Sequence, residues 1–322
     1  MSNSNKENKT YNRSIYNRYK NYHELDVNEV SSILLDQHKI IGGRKFLNNH
    51  EANYLMPSDE IEVKRMEVVH VLCRYAWKGN FNAPVEETLR NVKATVLDAG
   101  CGAGCWILDL GNEFPNSTFV GIDIQSSAFP SVNERSSNTG FLVHNLITGV
   151  PFPDETFDYV HMQVMWSALT KQQYINVIHE LVRVTKCNGW IEIMEPNMEM
   201  KNLGNSMKAV QNAFHKKLKE NGFDPMIFLE VSKCFESINE LTNIEHMQLN
   251  MSLGGWAGRY YEYILDGVKQ IYKSITYLPD YMGISQNDYQ KLIDDFDRQC
   301  NQNHSYLETH RIFAKKVKHH CC

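Results

Sequence analysis

Val96 to Trp106 reads VLDAGCGAGCW, and this stretch decides the fold. A short apolar run ends in Asp98. Gly100, Cys101, Gly102, Ala103 and Gly104 then turn the chain into a helix. Glycine lets a main chain bend sharply and come close to a ligand. The helix N-terminus beyond it offers unpaired N–H groups and a partial positive charge. Asp98 adds a carboxylate beside them, so the turn holds donors for an anion and an acceptor for a cation. A zwitterionic amino acid matches that pairing, whereas a bare pyrophosphate would be repelled by Asp98. Dinucleotide turns usually read GxGxxG. Here the third glycine comes one residue early, so a nicotinamide dehydrogenase fits poorly.

Outward from this turn, strand-like and helical runs alternate. ATVLDAG, STFVGID, FLVHN, FDYVHMQ and WIEIMEP are short β-rich segments, and Gln172 to Thr185 is an amphipathic helix between two of them. Such alternation predicts a parallel sheet with helices on both faces. Upstream, Asp59 to Trp77 reads as a helix with Asp59 and Glu62 as a capping box. Met66, Val69, Cys73 and Ala76 form its apolar stripe. Downstream, 197–245 reads as a helical insertion that would roof the sheet's edge. TNIEHMQLNMSLG and YLETHRIFAKKV read as strands, and Arg259 to Ile275 and Gln286 to Cys300 as helices. The expected organisation is a flexible polar tail over 1–43, an N-terminal helical cap over 44–92, a main domain over 93–318 and a short tail over 319–322.

FVGIDIQ places Asp123 nineteen residues after Gly104. An acid at the end of the second strand can accept hydrogen bonds from ribose hydroxyls. The third strand is expected to end at His144 and Asn145, where the Asn145 amide oxygen could accept from an adenine amino group. His161, Met162 and Gln163 end the fourth strand and Glu195 the fifth.

VLDAGCGAG, VGID, PFPDETFDYVHM and ELVRVTKCNGWIEIMEP, in that order, resemble class I S-adenosylmethionine-dependent methyltransferases over residues 94–196. A looser match over 43–317, through RKFLNNHEANYLMPSDEIEVKR and GGWAGRYYEYI, is similar to fungal LaeA-like methyltransferases. The resemblance implies a Rossmann-like seven-stranded α/β sheet with one antiparallel strand. It also implies S-adenosyl-L-methionine as cofactor. Asp98 would hold the cofactor's amino group, and Gly100, Cys101, Gly102 and Gly104 its methionine portion. Asp123 would bind the ribose, Asn145 would take the adenine-side position, and Ile124, Leu146 and Met162 would be further cofactor-binding residues. Asn145 departs from the family's aspartate and lacks its charge. Asn188-Gly189 replaces a Gly-Gly pair, a mild change because Asn tolerates positive φ.

Methyl transfer needs in-line orientation and exclusion of water. A base is needed only for a protonated acceptor, and His161 and Glu195 are the candidates, against ordinary packed roles for both. Met162 and Met165 also read as plain apolar filler, Trp106 as packing, and Tyr54 and Met56 as core or lid. The expected acceptor is a small molecule, with a protein as the other possibility. A regulatory protein that keeps the fold and acts through partners is the rival reading.

Composition frames these readings. Lys+Arg 33 against Asp+Glu 38 gives a net charge of −5, so no basic field points to a nucleic-acid partner. No apolar run approaches the ~20 residues of a membrane span, and no secretory leader is evident. Eight cysteines without paired spacing read as reduced thiols in a cytoplasmic or nuclear protein, with no metal site. The terminal His319, His320, Cys321 and Cys322 read as an unstructured end rather than a metal or lipid site. The residues leave the oligomeric state open.

Overall fold

The computed structural model describes residues 38–48 and 54–318. The readings made for 1–37 and for His319 to Cys322 lie outside the described residues. His38–Ile41 (β1) and Arg44–Leu47 (β2) form an antiparallel hairpin. Residues 38–41, assigned to the polar tail on sequence, are therefore a strand, and the cap begins with a hairpin rather than a helix. Among the described residues no helix is long and apolar enough to cross a membrane.

The main sheet has seven strands. They are Thr95–Ala99 (β3), Thr118–Asp123 (β4), Thr139–Val143 (β5), Phe157–Gln163 (β6), Thr185–Lys201 (β7), Leu241–Ser252 (β8) and Tyr306–Lys316 (β9). Their spatial order is β5-β4-β3-β6-β7-β9-β8. Pairing is parallel from β5 through β7, and β9 runs antiparallel to both neighbours. The α/β sheet and its single antiparallel strand agree with the Rossmann-like expectation.

Side chains alternate across the sheet as a period of two requires. Val96 and Tyr159 join one core with Trp106, Leu110 and Phe119. Their neighbours Leu97 and Val160 join the other with Tyr174, Ile178 and Leu181. Strands buried on both faces read as near-continuous apolar runs, which is why β3 and β6 were legible.

Helix α1 (Glu60–Ala76) starts at Asp59, whose side chain accepts from Glu62 N. The capping box is only half formed, because the Glu62 carboxylate accepts from Arg65 instead. The short α2 (Glu86–Asn91) precedes β3, α3 (Cys105–Glu113) follows it, and α4 (Lys171–Val184) links β6 to β7. The inserted segment is shorter than 197–245. β7 continues to Lys201 and β8 begins at Leu241, leaving α5 (Asn205–Glu220) and α6 (Ile227–Ser237). Between β8 and β9 lie α7 (Arg259–Ser274), α8 (Leu278–Met282), α9 (Gln286–Asp294) and α10 (Phe296–Asn303). The last two replace the single helix expected from Gln286 to Cys300. Asn188 takes φ 68 at the turn before the central part of β7, as its residue type suggested.

Candidate active site

The chain passes from β3 to β4 and β5 on one side, then crosses to β6 on the other. That reversal opens a crevice at the carboxyl ends of β3 and β6, and a cavity occupies it. The glycine turn, Asp123, Ile124, Asn145 and Leu146 form one wall, and Arg65, Met66, Val69 and His70 of α1 form another. Val164 to Leu169 and Ile271 of α7 complete it. No residue of 197–245 lines this cavity, so the expected roof by the insertion is corrected. The roof comes from α1 and α7, while Phe214 of α5 sits behind Trp166, edge to face at 6.0 Å.

Two glycines of the turn let methionine side chains approach closer than any Cβ would allow. A Cβ on Gly100 would stand 2.4 Å from Met165 Sδ, and one on Gly102 2.9 Å from Met66 Sδ. Both have positive φ, +75 and +51. Gly104 caps α3 in the left-handed region and lies under the Phe141 ring, outside the cavity wall. Cys101 and Cys105 line the cavity. Burial raises both thiols, Cys105 to about 11, so neither is a thiolate nucleophile.

Asp123 sits where the second strand ends. Its carboxylate accepts from Gly102 N at 2.9 Å and from Gln125 N at 2.8 Å. Burial raises its pKa against those hydrogen bonds. Each carboxylate oxygen has a second lone pair, so capacity remains for ribose hydroxyls.

Asn145 lines the cavity, with one correction. β5 ends at Val143, and Asn145 caps a short 3₁₀ turn by accepting from Ile147 N at 3.2 Å. Its amide oxygen is therefore engaged, and the atom left without a partner is Nδ2. The amide oxygen has a second lone pair, so the acceptor expected for an adenine amino group remains beside this unpartnered donor.

Asp98 and His161 are brought together, but not as a ligand-facing pair. Asp98 registers beside His161 in the parallel β3–β6 pairing, and Oδ1 lies 2.8 Å from His161 Nδ1. His161 is fully buried, stacked on Trp106 with centroids 4.0 Å apart. Neither residue lines the cavity. The same is true of Met162, which is packed in the core.

Glu195 is fully buried too. Its carboxylate accepts from Met165 N at 2.6 Å, Trp166 N at 3.3 Å and Tyr174 Oη at 2.8 Å. Burial pushes its pKa up to about 8. It also continues the strand rather than ending it. Glu195 thus positions the 164–169 wall and does not face the cavity. Val164, at the head of that wall, holds φ 56, a strained state for a β-branched residue. Its N–H donates to Met194 O at 2.9 Å, and the Glu195 carboxylate holds the next amide. The two base candidates are therefore structural groups of the crevice.

Sequence reading missed His70, Arg65, Gln125, the 164–169 wall and Ile271. Only α1 carried a usable signal, since Arg65, Met66, Val69 and His70 lie on one helical face. Of the two residues weighed as lid or core, Tyr54 lines the cavity and Met56 is core.

Residues 96–189 match the family model described as a methyltransferase domain. The N-methyltransferase verN of Clonostachys rogersoniana is 26% identical over 152 residues, 47% of this chain and 52% of that protein. The secondary metabolism regulator laeA of Coprinopsis cinerea is 28% identical over 156 residues, 48% of this chain and 38% of that protein. The chain thus spans about half the length, or less, of these relatives. A solved structure of Haemonchus contortus phosphoethanolamine N-methyltransferase 2, with phosphomonomethylethanolamine and S-adenosylhomocysteine, aligns with TM-score 0.46 at 16% identity. That alignment covers 78% of this chain and 58% of that one.

Proposed function

We propose that this chain, whose core is a class I S-adenosylmethionine-dependent methyltransferase domain similar to the LaeA regulators, is a methyltransferase that binds S-adenosyl-L-methionine. The methyl acceptor is a small molecule, with a protein as the alternative. One observation carries this reading. A single cavity joins the glycine turn to an acid, Asp123, at the next strand end and to an amide, Asn145, just after the third strand.

The residues fit the cofactor. Gly100 and Gly102 line the cavity with no side chain of their own between the turn's main chain and a ligand. Asp123 keeps lone pairs for a ribose, and Asn145 and Leu146 border the far end. When bound, the cofactor supplies an electrophilic methyl group on a sulfonium. Gly100, Gly102, Asp123 and Asn145 would hold the cofactor at the carboxyl ends of the strands. This chain's own work is orientation and exclusion of water. Met66, Val69, Met165, Trp166 and Ile271 provide apolar walls around the crevice. No step is assigned to His161 or Glu195, which hold other groups. An intracellular setting, cytoplasmic or nuclear, suits the reduced thiols at Cys101 and Cys105.

Calorimetric titration with S-adenosylhomocysteine tests cofactor binding, and mass spectrometry of small molecules and proteins after incubation with isotopically labelled donor tests transfer. Binding without label transfer to any acceptor would favour the regulatory reading that the LaeA similarity raises. Absence of binding to well-folded protein would end the enzyme reading.

A further inference from the structure

The roof over the cavity comes from two helices that lie far apart in the chain, α1 and α7, and the β1–β2 hairpin joins them. Arg44, the first residue of β2, gives Nε and Nη2 to the Asp59 carboxylate at 2.6 and 2.8 Å. Its Nη1 donates to Ser274 Oγ at 3.3 Å. Asp59 is the N-cap of α1, and Ser274 is the last residue of α7. One guanidinium thus spans the start of one roof helix and the end of the other. Each charge suits the end that it meets, because a carboxylate is favoured at a helix N-terminus and a cation at a C-terminus. The planar fork of arginine can hold a carboxylate with two N–H groups and still offer a third.

Main-chain contacts fasten the hairpin in the same place. Ser58 N donates to Lys45 O at 2.6 Å. The hairpin turn presses on the chain just past α7, where a Cβ on Gly42, at φ +55, would stand 2.9 Å from Thr276 Cγ2. The segment before α1 reaches the 164–169 wall, since Leu55 N donates to Ser167 O at 3.2 Å. From these anchors the cavity is a short step away. Asp59 also accepts from Glu62 N, and the Glu62 carboxylate holds Arg65, which lines the cavity. Ile271, one turn before Ser274 on the same face of α7, lines it too. Neither Arg44 nor Asp59 does, so the pair acts on the cavity through the helices that it places.

We propose that Arg44 is a positioning residue of the site, a clasp that sets the spacing of α1 and α7 over the cavity and slows release of the bound ligand. The proposal rests on the methyltransferase reading and goes beyond it, because it puts control of ligand exchange in a hairpin outside residues 96–189.

Stopped-flow and calorimetric binding of S-adenosylhomocysteine test this in wild type, Arg44→Ala, Arg44→Lys and Lys269→Ala. Lys269 of α7 pairs with Asp297 of α10, a tie that does not involve the hairpin, so its variant measures what mere loosening of α7 does. Arg44→Ala should raise the dissociation rate on the order of ten-fold, the size of a hydrogen bond to a charged group, with association no slower. Arg44→Lys keeps the charge without the fork, should fall between, and serves if Arg44→Ala folds poorly. Lys269→Ala should release the ligand as wild type does. Unchanged dissociation in Arg44→Ala would overturn the proposal. So would equal acceleration in Lys269→Ala, or an affinity loss carried by slower association alone. Hydrogen exchange without ligand separates the clasp from the cofactor reading. In Arg44→Ala it should speed up in the first turn of α1 and the last turn of α7 together, and unchanged protection at either end would overturn the clasp. If both ends loosen while wild type binds no S-adenosylhomocysteine, the clasp stands and the cofactor reading has failed.

Discussion

Asp98 Oδ1 lies 2.8 Å from His161 Nδ1, and the imidazole lies flat on Trp106. The pair is a cross-strand tie between β3 and β6 at the mouth of the crevice, with both side chains at most 2% exposed. It fixes where the glycine turn leaves the sheet.

Breaking that tie should cost stability before it costs binding. Asp98→Ala strands a buried histidine, and leaving a buried hydrogen-bonding group without its partner costs about 1–3 kcal/mol. Urea unfolding measures this, and a loss below ~1 kcal/mol would show that the pair is not structural. Loss of methylation in this variant therefore cannot by itself identify a ligand contact.

Glu195 makes stability depend on pH. Burial raises its pKa to about 8 from an ordinary 4.5, so between those values the native state holds a proton that the unfolded chain has released. Its contribution is complete below about pH 4.5 and is lost as pH rises through about 8. Glu195→Gln cannot titrate, so its melting temperature should fall less than wild type's across that window. Parallel curves for the two proteins would refute the assignment.

A methyl group on Gly100 should close the cradle. The new Cβ would meet Met165 Sδ at 2.4 Å, at a φ of +75. The backbone strain alone is worth about 1–2 kcal/mol. Affinity for S-adenosylhomocysteine should drop at least roughly ten-fold, because the turn can no longer approach the ligand. Unchanged calorimetric affinity in Gly100→Ala would remove the turn from the site.

Asp123 should report on the ribose. Ligand at ~100 times its dissociation constant adds ~2.7 kcal/mol of stability, read as a thermal shift. Asp123→Ala should shrink that gain. The same substitution also frees Gly102 N and Gln125 N, so some loss of the apo protein's stability is expected. A full ligand shift in the variant would place the ribose elsewhere.

The sheet and its order of chemistry were legible because each depends on near neighbours in the chain. A β-branched run, a glycine turn and a following acid announce β3, α3 and β4 within about thirty residues. Asp123, Asn145, Gly100 and Gly102 could thus be named in advance, and they line one cavity. His161 and Glu195 looked like bases because strand ends face the crevice. Their actual partners, Asp98 and the amides of Met165 and Trp166, depend on strand register and on the turn after β6, which local pattern does not encode.

Amino-acid order alone determined the α/β class, the glycine cradle and the acid that follows it, since backbone freedom and hydrophobic period act locally. Tertiary packing decided which polar atoms stay open to a ligand. It sealed Asp98 against His161, turned one lone pair of the Asn145 oxygen to a local turn, and brought the distant α1 into the same cavity wall as the glycine turn. A buried polar atom must find a partner, and only the folded chain settles which partner is within reach.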